Sequence, residues 1–223
     1  MKLDYLPGTP YEIEQAEDMF HFNSDTELLG RFMQIRHDDT VLDIGCNQGA
    51  LMMYAALHHP LSITGIDLFD KATDLAKKNM ERYNLPCRLE VGKIQDFNDG
   101  RFSAILCNPP YFRNCGKNVS GNAFIAAARH ESYLPLDELF ASAARLIKDQ
   151  GRFYLVHRVS RLYDLFVAAE KSGFYPIRMQ TAYRSISGKA VSVLVCFSRK
   201  TCGELTMDPP IFLDHQSKEL IKL

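Results

Sequence analysis

The residues best suited to chemistry fall in short stretches that each follow or precede an apolar run. The first is Asp43-Ile44-Gly45-Cys46-Asn47-Gln48-Gly49. Glycines in a turn between a strand and a helix let a ligand approach the backbone and present N–H groups to it. The spacing here is G-x-x-x-G, so the third glycine of a dinucleotide fingerprint has no counterpart. Asp43 would repel a pyrophosphate and favour a cationic ligand. The second stretch is Asp67-Leu68, at the end of another apolar run, where a carboxylate can accept both hydroxyls of a ribose. The third is Gln95-Asp96-Phe97, a carboxylate for an adenine amino group beside a ring that could stack on it. Three acids on one edge fit a nucleoside that carries positive charge, S-adenosyl-L-methionine, with its sulfonium and ammonium groups. The candidate cofactor residues are therefore Asp43, Gly45, Cys46, Gly49, Asp67, Leu68, Asp96 and Phe97.

The fourth stretch is Asn108-Pro109-Pro110-Tyr111. Two prolines remove two backbone donors and stiffen the turn while leaving their carbonyls as fixed acceptors. Asn108 adds a side-chain acceptor and Tyr111 an aromatic face. These four are the candidate catalytic residues, and Asn108 is a candidate cofactor contact as well.

Positioning such groups needs strands that end together. Val41 to Ile44, Ser62 to Ile66, Leu89 to Val91, Phe102 to Cys107 and Phe153 to His157 read as strands. Helical patterns run from Leu51 to His58, Lys71 to Tyr83, Leu136 to Ile147 (closed by Gly151) and Leu162 to Lys171 (closed by Gly173). Phe174 to Thr181 and Val191 to Ser198 follow with no helix between them. Alternating β and α implies an α/β fold, a mostly parallel sheet covered by helices on both faces, and the last pair implies an antiparallel finish. Ligands in such sheets bind beyond the carboxyl ends of the strands.

The 223 residues, 46% hydrophobic and 24% charged, suit a globular protein of one domain. We expect a single domain over 1–223, with a short helical lead-in (1–39) and an extension (200–223). No apolar run approaches the ~20 residues of a membrane-spanning helix. The six cysteines form no Cys-x-x-Cys pair, so neither a zinc ribbon nor any other metal site is expected. A cytoplasmic location is expected. The net charge of −1 conceals an asymmetry. Residues 1–100 hold 9 basic and 17 acidic side chains, and residues 101–200 hold 15 and 6. The basic half points to an anionic partner. Its candidate contacts are Arg113, Lys117, Arg129 and His130 in a long polar linker, and Arg158 and Arg161 in a cluster with Arg145, Lys148 and Arg152.

Asn-Pro-Pro-Tyr after a strand, with the acidic glycine loop, resembles the class I Rossmann-like S-adenosyl-L-methionine-dependent methyltransferases that act on planar amino nitrogens. Over nearly its full length the chain is similar to the bacterial tRNA1(Val) (adenine(37)-N6)-methyltransferases. The matching stretches are 22–29 (FNSDTELL), 41–49, 104–112 (AILCNPPYF), 128–131 (ARHE) and 155–162 (LVHRVSRL). The resemblance implies a seven-stranded sheet with its last strand antiparallel, and methylation of an adenine N6 in the single-stranded anticodon loop of a tRNA. It implies no membrane and no DNA partner. It places Ser24, Asp25 and Thr26 at the methionine end of the cofactor, although Ser24 with Glu27 also reads as a helix capping box. It implies that Asn108 and the Pro109 carbonyl accept the hydrogens of the target amine and that Tyr111 stacks on the flipped base. The middle glycine of the family's loop is replaced by Asn47. A protein-glutamine N5-methyltransferase, a guanine-N2 RNA methyltransferase and a non-catalytic cofactor-binding module stay open as alternatives.

Overall fold

The structure, a computed structural model, describes residues 2–111, 134–200 and 203–214. It begins with a hairpin of β1 (Lys2–Tyr5) and β2 (Glu12–Gln15), followed by helix α1 (Ser24–Phe32). Then come β3 (Thr40–Ile44), α2 (Ala50–Ala56), β4 (Ser62–Asp67), α3 (Asp70–Arg82), β5 (Arg88–Val91) and β6 (Phe102–Cys107). After the linker come α4 (Leu136–Leu146), β7 (Ile147–Arg158), α5 (Leu162–Lys171), β8 (Tyr175–Tyr183) and β9 (Ala190–Ser198). Two short strands, β10 (Thr206–Met207) and β11 (Ile211–Phe212), close the described chain.

The main sheet runs β10-β8-β9-β7-β6-β3-β4-β5, and β11 also pairs with β8. The seven expected strands are β3 to β9, and β9 alone among them is antiparallel to its neighbours. The extension adds two strands, both parallel to β8, for nine in all. Phe212 anchors the second by stacking on Tyr183, with centroids 5.5 Å apart.

Period-two alternation sends successive residues to two cores. Val41, Ala104, Leu106, Tyr154 and Val156 face α1 and α2. Leu42, Ile105, Cys107, Phe153 and Leu155 face α4 and α5, where Phe140, Phe153, Phe174 and Phe197 pack ring on ring. Burial on both faces is why these strands read as nearly unbroken apolar runs.

Two expectations need correction. Gly151 does not close α4. Ile147 already turns to extended backbone (ψ 143°), and Gly151 lies in β7, at a bulge where Phe102 pairs with Ile147 and Ala104 with Arg152. The lead-in 1–39 is not simply helical. Its first half is the hairpin, in which Ile13 and Gln15 turn inward and the acidic Glu12 and Glu14 turn away. The free edge of β2 is satisfied by two side chains one turn apart, Asn79 in α3 and Tyr83 just after it. The Asn79 amide accepts from Glu14 N (2.8 Å) and donates to Glu14 O (3.1 Å) and Gln48 O (2.9 Å). The Tyr83 hydroxyl accepts from Glu12 N (2.7 Å) and donates to Glu12 O (3.2 Å). Two side chains thus act as an edge strand. Because Asn79 is fully buried, Asn79→Ala should cost about 1–3 kcal/mol by leaving backbone groups unpaired. It should also speed hydrogen exchange across 12–15. Urea denaturation and exchange mass spectrometry check this, and a loss below about 0.5 kcal/mol with unchanged exchange would contradict the clamp.

Candidate methyl-transfer site

Strands β3, β4, β5, β6 and β7 run parallel, so the residues after them gather on one edge. A cavity of about 460 Å³ opens there. Its walls include Thr26, Asp43, Gly45, Cys46, Asp67, Leu68, Asn108, Pro109, Pro110, Tyr111 and Arg158.

Asp43 is the next-to-last residue of β3 and is 1% exposed. Neither of its carboxylate oxygens has a hydrogen-bond partner among the described residues. Burial, and then the nearby Asp67 carboxylate, push its pKa up to about 8. Gly45, at φ 71°, turns the chain immediately beyond it, and a side chain there would meet nothing within 4 Å. Asn47 takes the left-handed conformation (φ 48°) that the missing glycine would hold, and asparagine is among the few residues that do so at low cost. Its backbone N–H donates to Asp67 Oδ2 (2.9 Å), and its side-chain amide donates to Phe20 O (2.6 Å). Asp67 also accepts from Phe69 N (3.1 Å), and burial still raises its pKa. Burial likewise pushes the Cys46 thiol well up. Gly49 (φ 88°) does not line the cavity. It starts α2 and packs its backbone on Ala76, where a Cβ would lie 3.3 Å from the Ala76 Cβ.

Asn108 follows β6. Its amide nitrogen donates to Thr26 Oγ1 (3.1 Å), and its carbonyl oxygen accepts from the Tyr111 hydroxyl. The Arg158 guanidinium lies 4.9 Å over the Tyr111 ring, and His157 meets the ring edge-on at 5.2 Å. Arg158 also pairs with Asp25 Oδ2 (3.2 Å) and donates to Ser192 Oγ (3.2 Å). Ser192 in turn donates to Asp25 Oδ1 (2.6 Å).

Several sequence-based assignments shift. Asp25 is 2% exposed and turned toward Arg158 and Ser192, and it does not line the cavity. Ser24 is not the helix cap. Asn23 is, accepting from Asp25 N (3.0 Å) and Thr26 N (3.2 Å), and it lines the cavity where Ser24 does not. Asp96 is exposed and Phe97 stacks on Phe102 in the core, so neither reaches the cavity. Gly92, Lys93, Ile94 and Gln95 do, because they directly follow β5. Reading the residues after that strand, rather than those before β6, would have found them. Met19, Phe20 and Phe22 form further wall; Phe22 opens the matching stretch 22–29, and no sequence signal marked Met19 and Phe20.

The basic cluster is also largely internal. Arg145 donates to the carbonyls of Ile94 (3.0 Å), Gln95 (3.1 Å) and Phe97, fixing the loop beside the cavity. Arg152 pairs with Asp39 (2.6 Å). Arg161 pairs with Asp164 (2.5 Å) and donates to the Tyr111 carbonyl (3.3 Å), which clamps the Asn-Pro-Pro-Tyr turn from outside the cavity. Lys148 is exposed. Arg113, Lys117, Arg129 and His130 lie outside the described residues.

Residues 19–172 match the family model described as "Methyltransferase small domain". The chain belongs to the methyltransferase small domain family. It is 30% identical over 196 residues to a tRNA1(Val) (adenine(37)-N6)-methyltransferase of Aliivibrio fischeri, covering 85% of this chain and 79% of that one. It is 26% identical over 209 residues to a Bacteroides fragilis protein of the same name, covering 90% and 87%. The fold is the Rossmann-like one of S-adenosyl-L-methionine-dependent methyltransferases. It is similar to the ribosomal protein L11 methylase of Lactobacillus delbrueckii subsp. bulgaricus, with a TM-score of 0.59, 17% identity, and 79% and 78% of the chains covered.

The cofactor of this enzyme family, S-adenosyl-L-methionine, fits the site. A cationic group suits the unpartnered carboxylate of Asp43, and Gly45 leaves room beside it. Asp67 and 92–95 continue the wall.

Asp43 carries a sign-definite pH dependence. Its folded pKa (about 8) lies above its ordinary value of 3.8. Its contribution to stability is therefore fully present below the ordinary value and is lost as pH rises through about 8. Asp43→Asn stays neutral throughout. The cofactor-free variant should exceed wild type in Tm by about 3 °C or more at pH 8.5, with the gap shrinking steadily toward pH 5. A gap that grows toward acid would contradict the assignment.

Proposed function

We propose that the chain methylates adenine N6 in tRNA, at adenine 37 in the anticodon loop of tRNA1(Val). The observation that carries this reading is the Asn108-Pro109-Pro110-Tyr111 turn on the wall of the cavity that Asp43 and Gly45 also line. The names and coverage of the relatives support the RNA substrate.

When bound, S-adenosyl-L-methionine supplies an activated methyl group on a sulfonium. The chain's part is to hold the adenine amine, a weak nucleophile because its lone pair is delocalised, in line with that group. Asn108 Oδ1 has two lone pairs and accepts from Tyr111 with one, leaving the second for an N6 hydrogen. Pro109, on the same wall, offers its carbonyl for the other. Thr26 and Tyr111 fix the Asn108 amide on both sides, so the acceptor needs no reorganisation during the reaction. Tyr111 positions Asn108 through its hydroxyl, while Arg158 covers one face of its ring. Asp43 orients the cationic end of the cofactor, and Asp67 takes the ribose. Ser24, Asp25, Gly49, Asp96 and Phe97 take no direct part, and Arg161 holds the turn.

Incubation with S-adenosyl-L-methionine and unmodified tRNA, followed by nucleoside mass spectrometry, should yield N6-methyladenosine. Asn108→Ala should lower kcat by ~10²-fold or more while cofactor affinity by calorimetry stays within about twofold. Normal turnover in that variant, or methyl transfer only to a glutamine-containing peptide, would overturn the reading.

A further inference from the structure

From Lys171 to Lys200 the sequence holds six cations and no Asp or Glu. The structure engages several of them. Lys171 pairs with Asp137, Arg178 pairs with Asp208, and Arg199 donates to Ala144 O. Arg184 and Lys189 are different. Both sit in the loop between β8 and β9, both are exposed, and neither side chain has an ion-pair or hydrogen-bond partner among the described residues.

The topology places this loop beside the reaction site. β6, β7 and β8 all run in one direction, because β9 is antiparallel to both β7 and β8. Their carboxyl ends therefore share an edge. Asn108 follows β6 there, and Arg184 follows β8 three strand spacings away, or roughly 14 Å at about 4.8 Å per spacing. The loop returns into β9 at Ala190, and two residues on, Ser192 bonds both Asp25 and Arg158, the pair that packs against Tyr111. Its base is pinned. Leu213 N donates to Tyr183 O (2.9 Å), Asp214 N donates to Arg184 O (3.2 Å), and Gly188 N closes a turn on Ser185 O (3.0 Å).

We infer that the β8–β9 loop is an RNA docking element, in which Arg184 and Lys189 contact phosphates flanking the adenine held at Asn108. This rests on the RNA substrate of the proposed function and adds to it the surface that grips the strand. The charge complementarity is direct. The cluster 145–161 supplies little of it, since Arg145, Arg152, Arg158 and Arg161 hold internal partners. A single-stranded loop presents its phosphates along a curved path, and fixed cations on the rim of the site set its register.

The test compares wild type, an Arg184→Glu/Lys189→Glu double variant and Lys200→Glu. Lys200 lies after β9, at the opposite edge of the sheet. Binding to an anticodon stem-loop RNA is read by fluorescence anisotropy at several salt concentrations, beside cofactor affinity and steady-state kinetics. The double variant should bind RNA about 10-fold or more weakly, with KM for RNA raised, and with kcat and cofactor affinity near normal. Its plot of log affinity against log salt should flatten by ~0.7 to ~1.4, for one to two single-strand phosphate contacts. Lys200→Glu should leave all of these close to wild type. Wild type that methylates the RNA while the double variant matches it in affinity and slope would overturn this inference alone. Wild type that neither binds nor methylates RNA would overturn the proposed function, and this inference with it.

Discussion

Asp43 lies near the end of an interior strand with both carboxylate oxygens unbonded among the described residues, a placement that costs several kcal/mol when the group is charged. The surrounding structure holds it there. β4 and β6 flank β3 in register from Val41 to Ile44, so the aspartate cannot swing to solvent without breaking two ladders. The Gly45 N–H donates to Ile66 O (2.8 Å), which fixes the turn directly above it. Asp67, the nearest acid, is held in place by the N–H groups of Asn47 and Phe69, and its field adds to the strain on Asp43. The fold thus maintains a charge deficit that a cationic ligand completes, and stability is given up where binding needs it.

The other end of the cavity is built on the opposite principle. There the Asn108, Asp25 and Arg158 side chains already have partners. Thr26 and Tyr111 hold Asn108, Arg158 and Ser192 hold Asp25, and Arg161 holds the Tyr111 carbonyl. In the proposed reaction an unfilled electrostatic site would bind the cofactor and a satisfied, rigid one would orient the substrate, which matches the demands of in-line transfer to a weak nucleophile.

Much of this was legible in the sequence because strands buried on both faces leave strong apolar runs and because glycine, aspartate and proline mark where those runs end. The places of Asp43, Gly45, Asp67 and Asn108 on the cavity wall were recoverable for that reason. The hairpin was not, since β2 is four residues long, half acidic, and paired on one edge to the side chains of Asn79 and Tyr83. The helix cap was misread by one residue because Asn23, Ser24 and Asp25 are all competent caps and only backbone geometry selects among them. Arginines defeated composition altogether. The type that grips phosphate is also the type that best ties carbonyls and carboxylates, and Arg145, Arg152 and Arg161 took the second role.

With its pKa raised by burial, Asp43 holds a proton in the free protein near neutral pH and, in the proposed cofactor complex, becomes the anionic partner of the cofactor. Isothermal titration of S-adenosyl-L-methionine at pH 7, in buffers of differing ionisation enthalpy, reads this directly. With a pKa of about 8, Asp43 should release most of one proton per cofactor bound, and Asp43→Asn should abolish that release. Binding enthalpies that do not vary with buffer in wild type would contradict it.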